Sequence, residues 1–130
     1  MARTSRDIVR AAAIAATLSG APSTAWTLAQ RGDLLASTRA AGAMVGGEPR
    51  LGRGVVVHAA ISLFWTAVLS VALPRRHAVA SGALAGAAIA VLDVGVIAPR
   101  RFPAIASLPR APLVADHVAF GALVGSMLSR

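Results

Sequence analysis

The sequence contains no cysteine, tyrosine, lysine or asparagine, and only 4% of its residues are aromatic. Without cysteine the chain can form neither a disulfide framework nor a thiolate metal site. The shortage of aromatic rings removes the stacking surfaces on which single-stranded nucleic acids bind. The net charge of +8 therefore does not indicate a nucleic-acid partner, because the arginines lie in tails and connections between apolar runs, where membrane proteins place them.

Acidic residues are also scarce, with five Asp and Glu in 130 residues, while 56% of the residues are hydrophobic. A soluble domain of this size is rarely so apolar, and the apolar residues form long runs almost free of acids and bases. We therefore expect an all-α integral membrane protein that resides in a lipid bilayer as a multi-pass protein of the cell inner membrane.

Four apolar segments predict one bundle of four transmembrane helices that makes a single domain of residues 1–130. The first segment permits two interpretations. It is a spanning helix kinked at Pro22, or it is a signal peptide cleaved near its small residues, which would leave three spans. The continuation of the apolar pattern through Leu28 favours the spanning helix. The predicted spans are residues 8–28, 54–73, 78–98 and 112–128.

The connections between the spans have distinct compositions. Residues 34–45 predict a short helix capped by Asp33. This helix either lies on the membrane surface or forms part of an ordinary solvated loop. The segment 99–112 contains four prolines, and we expect a stiff, extended connector there. The 13 arginines divide almost evenly between the two predicted sides of the membrane, so their number does not set the orientation. The positive-inside rule usually gives the first helix the most weight, and this favours a cytoplasmic N-terminus.

The few ionisable residues within the predicted spans fall at one depth. If neighbouring helices run in opposite directions, the start of the second span, the end of the third and the start of the fourth lie on one membrane side. A carboxylate in hydrocarbon needs a partner from a neighbouring helix. We therefore predict an intramembrane polar centre made of His58, Ser62, Trp65, Asp93, Asp116 and His117.

Two glycine stripes support this arrangement. Each has the Gly-x-x-x-Gly spacing that lets helix backbones approach closely in lipid, and each is in line with an ionisable residue. Packing of the third helix on the fourth would bring Asp93 to His117. We also expect the protein to be a homo-oligomer or a subunit of a membrane complex. The stripes are formed by Gly82 and Gly86, and by Gly121 and Gly125.

Three hypotheses compete for the function of the polar centre. Asp93 and His117 could be a hydrogen-bonded pair that fixes helix register in a structural or accessory subunit. The His and Asp groups could instead bind or pass a proton, ion or small solute, which is the working hypothesis. In the third hypothesis His58 and His117 ligate haem, or join Asp93 in ligating a transition metal. No catalytic residues are predicted, because Ser62 one turn from His58 is too common a pairing to indicate an enzyme.

The chain resembles a group of small, uncharacterised multi-helix membrane proteins of GC-rich bacteria. The resemblance supports an uncleaved, kinked first helix and implies no activity. Two types of transporter of similar size differ from this chain. The small multidrug transporters need a carboxylate in the first helix and the fluoride channels need a pore asparagine, and the chain has neither. The segments that carry the resemblance are SGAPST at 19–24, ASTRAAG at 36–42, AVLD at 90–93 and ADHVAFG at 115–121.

Overall fold

The computed structural model describes residues 3–129, and all regular structure within them is helical. A π-helical segment, Val91–Ile97, joins α5 to α6, and a 3₁₀ turn, Ala43–Val45, follows α3. The predicted all-α class is confirmed. The helices are α1 (Ser5–Leu18), α2 (Ala21–Ala29), α3 (Ala36–Gly42), α4 (Leu51–Ala72), α5 (Ala78–Ala90), α6 (Ala98–Arg101), α7 (Pro103–Ala106) and α8 (Arg110–Leu128).

Three helical stretches are long and apolar enough to cross a membrane. They are Leu51–Ala72, Ala78–Arg101 and Arg110–Leu128, with 22, 24 and 19 residues. At the usual rise per residue they extend over about 29 to 36 Å, close to the hydrocarbon thickness of a bilayer. They correspond to the second, third and fourth predicted spans, and the third continues through α6.

The first predicted span, residues 8–28, is divided into two shorter helices. α1 has 14 residues and α2 has nine, with a turn at Ser19 and Gly20 between them. The break precedes Pro22 instead of falling on it, because a proline is tolerated in the first turn of a helix, where its missing N–H needs no partner. Neither helix alone reaches the length of a span, so the structure establishes three membrane-length helices.

A capping box begins α1. The Thr4 hydroxyl and backbone N–H donate to the Asp7 carboxylate at 2.7 and 2.9 Å. These hydrogen bonds hold the pKa of Asp7 below its usual value. Because the pKa is lowered in the folded chain, the stabilisation is complete above the ordinary carboxyl pKa and is lost as the pH falls through the lowered value.

The predicted helix over residues 34–45 is shorter in the structure. It comprises α3 and the 3₁₀ turn that follows it. The predicted cap is wrong, because Leu35 is the N-cap residue and no side chain caps α3; the Asp33 carboxylate instead accepts the Leu35 N–H at 2.9 Å, before the helix begins. A Cβ on Gly42 would collide with the Arg50 carbonyl oxygen, and one on Gly54 with that of Thr38. The helix is therefore packed, backbone against backbone, on the first turn of α4.

The connection between α5 and α8 is partly helical, so the predicted extended connector is wrong. α6 and α7 each form one turn of helix within it. Pro99 and Pro103 lie in the first turns of these helices. Pro103 begins α7, where its fixed φ favours the helix and its missing N–H is not needed, whereas Pro99 directly follows the π-helical segment and continues the same helical stretch. The number of prolines alone does not indicate an extended segment, because their position within a turn decides the outcome.

α5 and α8 run antiparallel with their backbones in contact. A Cβ on Gly82 would collide with the Gly121 carbonyl oxygen, and a Cβ on Gly86 with that of His117. An advance of four residues along α5 thus corresponds to a retreat of four along α8. Both predicted glycine stripes lie in this contact. They consist of Gly82 and Gly86 on α5, and of Gly121 and Gly125 on α8.

α1 packs between α4 and α8. Its buried face consists of Ala11, Ala12 and Ala15, each at most 5% exposed. Side chains this small allow the two long helices to approach α1 closely. The apolar core around this face contains Leu69 and Leu73 of α4, Ile89 of α5, and Phe120, Val124 and Leu128 of α8.

Arg3 holds the beginning of the chain against two helix ends. Its guanidinium donates to the Ser70 and Leu73 carbonyls of α4, and to the Leu128 carbonyl of α8 at 3.2 Å. The last carbonyls of a helix lack partners within it and carry partial negative charge, so a cation is favourable there. The start of the chain and the ends of α4 and α8 thus lie on one side of the bundle.

Replacement of Gly121 by alanine should destabilise the bundle, because the new Cβ would collide with the Gly82 carbonyl oxygen. We expect Gly121→Ala to lose about 1–3 kcal/mol of unfolding free energy, as overpacked cores do. Gly52→Ala is the control, since a Cβ there meets no atom within 4 Å; it should leave stability unchanged or raise it by up to about 1 kcal/mol. Denaturant unfolding in detergent measures both, and equal stabilities would contradict the α5–α8 contact.

Candidate functional site

The interruption between α1 and α2 creates two helix ends inside the bundle. The last four carbonyls of a helix and its first four N–H groups have no partner within the helix. These ends meet at Ser19 and Gly20, and Ser19 is only 4% exposed. A buried polar group without a hydrogen bond is costly in apolar surroundings. Polar side chains from two neighbouring helices bind free backbone groups on both sides of Ser19.

His58 of α4 binds the C-terminal end of α1. Its Nε2 lies 2.9 Å from the Ala16 carbonyl oxygen. Because a carbonyl oxygen only accepts, Nε2 must carry a hydrogen and donate it. The contact satisfies one of the last carbonyls of α1 and places a group that can become cationic at the negative end of a helix.

Asp116 of α8 binds the N-terminal end of α2. Its Oδ1 accepts the backbone N–H of Ser23 at 2.9 Å, and Ser23 lies in the first turn of α2. A carboxylate is stabilised at a helix N-terminus by the free N–H groups and by the helix dipole. The two ends of the interrupted helix are thus held by ionisable side chains from two different helices.

Asp93 and His117 form a second arrangement next to the interrupted helix. His117 Nε2 lies 3.5 Å from Asp93 Oδ2, while His117 Nδ1 lies 2.7 Å from the Leu113 carbonyl oxygen. Nδ1 must donate to that carbonyl, so in a neutral imidazole Nε2 is an acceptor. An ionised carboxylate also only accepts. A direct hydrogen bond between the two side chains would therefore need one proton, carried by the imidazole or by the carboxyl group.

The π-helical segment determines where Asp93 lies. The Ala98 N–H donates to the Asp93 carbonyl, five residues earlier. In a regular α-helix the ring of Pro99 would clash with the carbonyl of Gly95, four residues before it, and the wider π turn changes that spacing. π-helical turns occur frequently at functional sites.

All these groups line one cavity of about 820 Å³. This volume lies within the range of small-molecule binding sites, and such sites are mostly apolar with a few polar groups. The described lining contains two carboxylates and no arginine, although the chain has 13 arginines. Its aromatic members are Phe64, Trp65, Phe102 and Phe120.

No model of a known protein family, no curated protein and no solved structure matches the chain. The resemblance to small membrane proteins of GC-rich bacteria stays a prediction. What the cavity can bind follows from the side chains that line it.

The residues predicted for the polar centre share the cavity but form separate arrangements. Asp93 is paired with His117, whereas His58 and Asp116 contact the backbones of α1 and α2. His58 therefore does not belong to the Asp93 pair. Ser62 is 4% exposed and its carbonyl accepts the hydroxyl of Thr66. The members that line the cavity are His58, Ser62, Trp65, Asp93, Asp116 and His117.

The geometry gives no support to the metal or haem hypothesis. Among residues 3–129, no three His, Cys, Asp or Glu side chains lie close enough together to hold a metal ion. Both ring nitrogens of His117 already face partners, as does Nε2 of His58. For His117 to ligate a metal or haem iron, it would have to give up one of these contacts.

The sequence reasoning missed the backbone partners of His58 and Asp116. Both contacts depend on the break at Ser19 and Gly20, which was expected at Pro22. The signal was present, because Pro22 two residues after Gly20 is typical of the first turn of a helix. A helix start in the middle of an apolar run predicts free N–H groups, and these require an acceptor such as Asp116.

Removal of the Asp116 carboxylate should destabilise the fold, because the Ser23 N–H would lose its partner. We expect Asp116→Ala to lose about 1–3 kcal/mol of unfolding free energy. Asp116→Asn keeps an oxygen acceptor and should lose less. Denaturant unfolding in detergent measures both, with Glu48→Ala in the exposed loop as the control. Equal stability of Asp116→Ala and the Glu48 control would contradict the assigned contact.

Proposed function

We propose that the chain is a small multi-pass inner-membrane protein that binds or passes a proton, ion or small solute at its His/Asp centre. The observation that carries the proposal is the Asp93–His117 pair on the wall of the cavity, with 3.5 Å between Nε2 and Oδ2. Ionisable residues inside apolar helices are unfavourable, and in membrane proteins they usually mark ion and solute paths. Histidine is the side chain that changes charge near neutral pH.

The backbone does not explain why the Asp93–His117 pair is present. His58 and Asp116 each satisfy a free helix end, whereas Asp93 Oδ2 faces an imidazole on another helix. Helix architecture alone therefore accounts for two of the four ionisable residues. The remaining pair holds a proton that is exchangeable with whatever occupies the cavity, which favours a binding or transport role.

We propose that α1 and α2 together form a fourth crossing. Residues 5–29 would extend over about 37 Å if fully helical, enough to cross the hydrocarbon region. Irregular backbone at membrane depth is tolerated where it lines a cavity, and transporters use such discontinuous helices to bind ions and substrates. The break at Ser19 and Gly20 lines the cavity, which agrees with this proposal.

The outer surface supports membrane residence and association. Val56, Val71 and Leu84 are 68%, 88% and 73% exposed. Large exposed apolar side chains on membrane-length helices need lipid or a second copy of the chain to cover them. We therefore keep the lipid bilayer and a homo-oligomer as the proposed surroundings.

A structural or accessory subunit is the second candidate function. The His58 and Asp116 contacts favour it, because they fix helix ends and do not require a ligand. In that case Asp93 and His117 would serve to hold α8 against the π-helical segment. The two functions differ in whether the proton of the pair exchanges with the aqueous phases.

Proton flux into liposomes separates the two functions. With the reconstituted protein and a trapped pH dye, we expect a pH jump to relax faster than in protein-free liposomes, and Asp93→Asn to remove at least 90% of that excess rate. Glu48→Gln, on the exposed loop, is the control and should match the parent protein. If the parent protein gave no excess rate while Asp93→Asn lost its oligomeric state, the structural function would replace the proposed one.

A further inference from the structure

We infer that the ligand of the cavity is a lipophilic monovalent cation, an organic ammonium or phosphonium ion with an apolar body, which displaces the proton of the Asp93–His117 pair. The inference rests on the proposed function of the His/Asp centre and adds the chemical class of its solute. Four features of the cavity carry it, namely its charge, its free hydroxyls, its apolar walls and its single shared proton.

The charge of the lining is opposite to that of the whole chain. The chain has a net charge of +8 with 13 arginines, yet the described lining includes Asp93 and Asp116 and no arginine. Asp116 accepts the backbone N–H of Ser23, and the N-terminus of α2 offsets only about half of one negative charge. A single positive charge on a ligand is therefore favourable here, and an anion is not.

Two serine hydroxyls border the cavity without a hydrogen bond to the described residues. Ser19 and Ser62 are each 4% exposed, and both border the cavity. Other serine and threonine hydroxyls in the bundle donate to a carbonyl three or four residues earlier, as Thr66 and Ser70 do. The hydroxyls of Ser19 and Ser62 make no such bond within residues 3–129. Neither hydroxyl oxygen is among the fully buried, unpaired polar atoms of residues 3–129, so a ligand or its water can reach both and hydrogen-bond to them.

The walls select an organic cation over a metal ion. A volume of about 820 Å³ is far larger than one ion needs, and no three potential ligands among the described residues are close enough for a metal. Phe64 and Trp65 pack edge to face with ring centroids 5.1 Å apart and line the cavity with Phe120. Aromatic faces attract cations, and apolar walls attract the body that carries the charge.

The ligand would compete with one proton. Four ionisable side chains border the cavity: Asp93 on the π-helical segment, His58 on α4, and Asp116 and His117 on α8. The parts of α1, α2 and α3 that line it contribute none. When a monovalent cation binds, the proton of the Asp93–His117 pair leaves for water and the charge of the occupied cavity is unchanged. Affinity should therefore rise with pH, by at most tenfold per pH unit for a single proton.

Fluorescence of Trp65 provides the test. Trp26 borders a different cavity, so in Trp26→Phe the emission comes from Trp65, which is within reach of the ligand. Tetraphenylphosphonium is the cationic probe, and triphenylphosphine oxide is the neutral aromatic control. We expect tetraphenylphosphonium to quench Trp65 saturably in detergent, with an affinity that is at least tenfold higher than that of the neutral control and increases between pH 6 and pH 8.

Variants made in the Trp26→Phe protein test whether the Asp93 carboxyl binds the cation. Asp93→Asn should weaken tetraphenylphosphonium binding at least tenfold and remove its pH dependence, whereas Glu48→Gln should retain both the affinity and its pH dependence. Equal affinity for the neutral control, or no saturable binding to the parent protein, overturns the inference even if Asp93→Asn fails to fold. Proton flux into liposomes without cation binding would leave the proposed function standing and refute only the ligand class. If the parent protein showed neither proton flux nor cation binding, both the proposed function and the ligand class would be refuted.

Discussion

The backbone groups at a helix end have no partners within their own helix, and side chains from two other helices bind such groups where the first helix is interrupted. The chain breaks its first helix at Ser19 and Gly20, so it creates two such ends at once. His58 satisfies the first and Asp116 the second. These two contacts connect α4 and α8 to the interrupted helix and leave a cavity between them. The polar groups that line the cavity are thus partly a consequence of the break.

The second determinant is the close approach of α5 to α8. Gly82 and Gly121 place the two backbones in contact, and this antiparallel register brings the end of α5 towards the start of α8. The π-helical segment then sets Asp93 opposite His117. The pair lies on the cavity wall, where a proton on either side chain would join the two acceptors in a hydrogen bond. That proton is the reason that the centre is proposed to bind or pass a proton, ion or small solute.

The sequence predicted the features that depend on composition and on alternation of helix direction. Three membrane-length helices follow from their apolar runs, and the antiparallel order of the helices agrees with the shared cavity of His58, Asp93 and His117. The sequence did not predict the features that depend on where a residue falls within a helical turn. Pro22, Pro99 and Pro103 were all interpreted as kinks or breaks, yet each lies in the first turn of a helix. The π-helical segment was also missed, because its widening is a response to Pro99 and to packing on α8.

The central claim is that Asp116 holds the N-terminal end of α2 inside the bundle. Solid-state NMR of the protein in lipid bilayers tests it directly, with ¹⁵N in serine amides and ¹³C in aspartate side-chain carboxyls. A hydrogen bond of 2.9 Å places the Ser23 nitrogen within about 4 Å of the Asp116 carboxyl carbon, so we expect strong dipolar dephasing that disappears in Asp116→Asn prepared with the same labels. No dephasing, together with helical chemical shifts that continue through Ser19 and Gly20, would contradict the account.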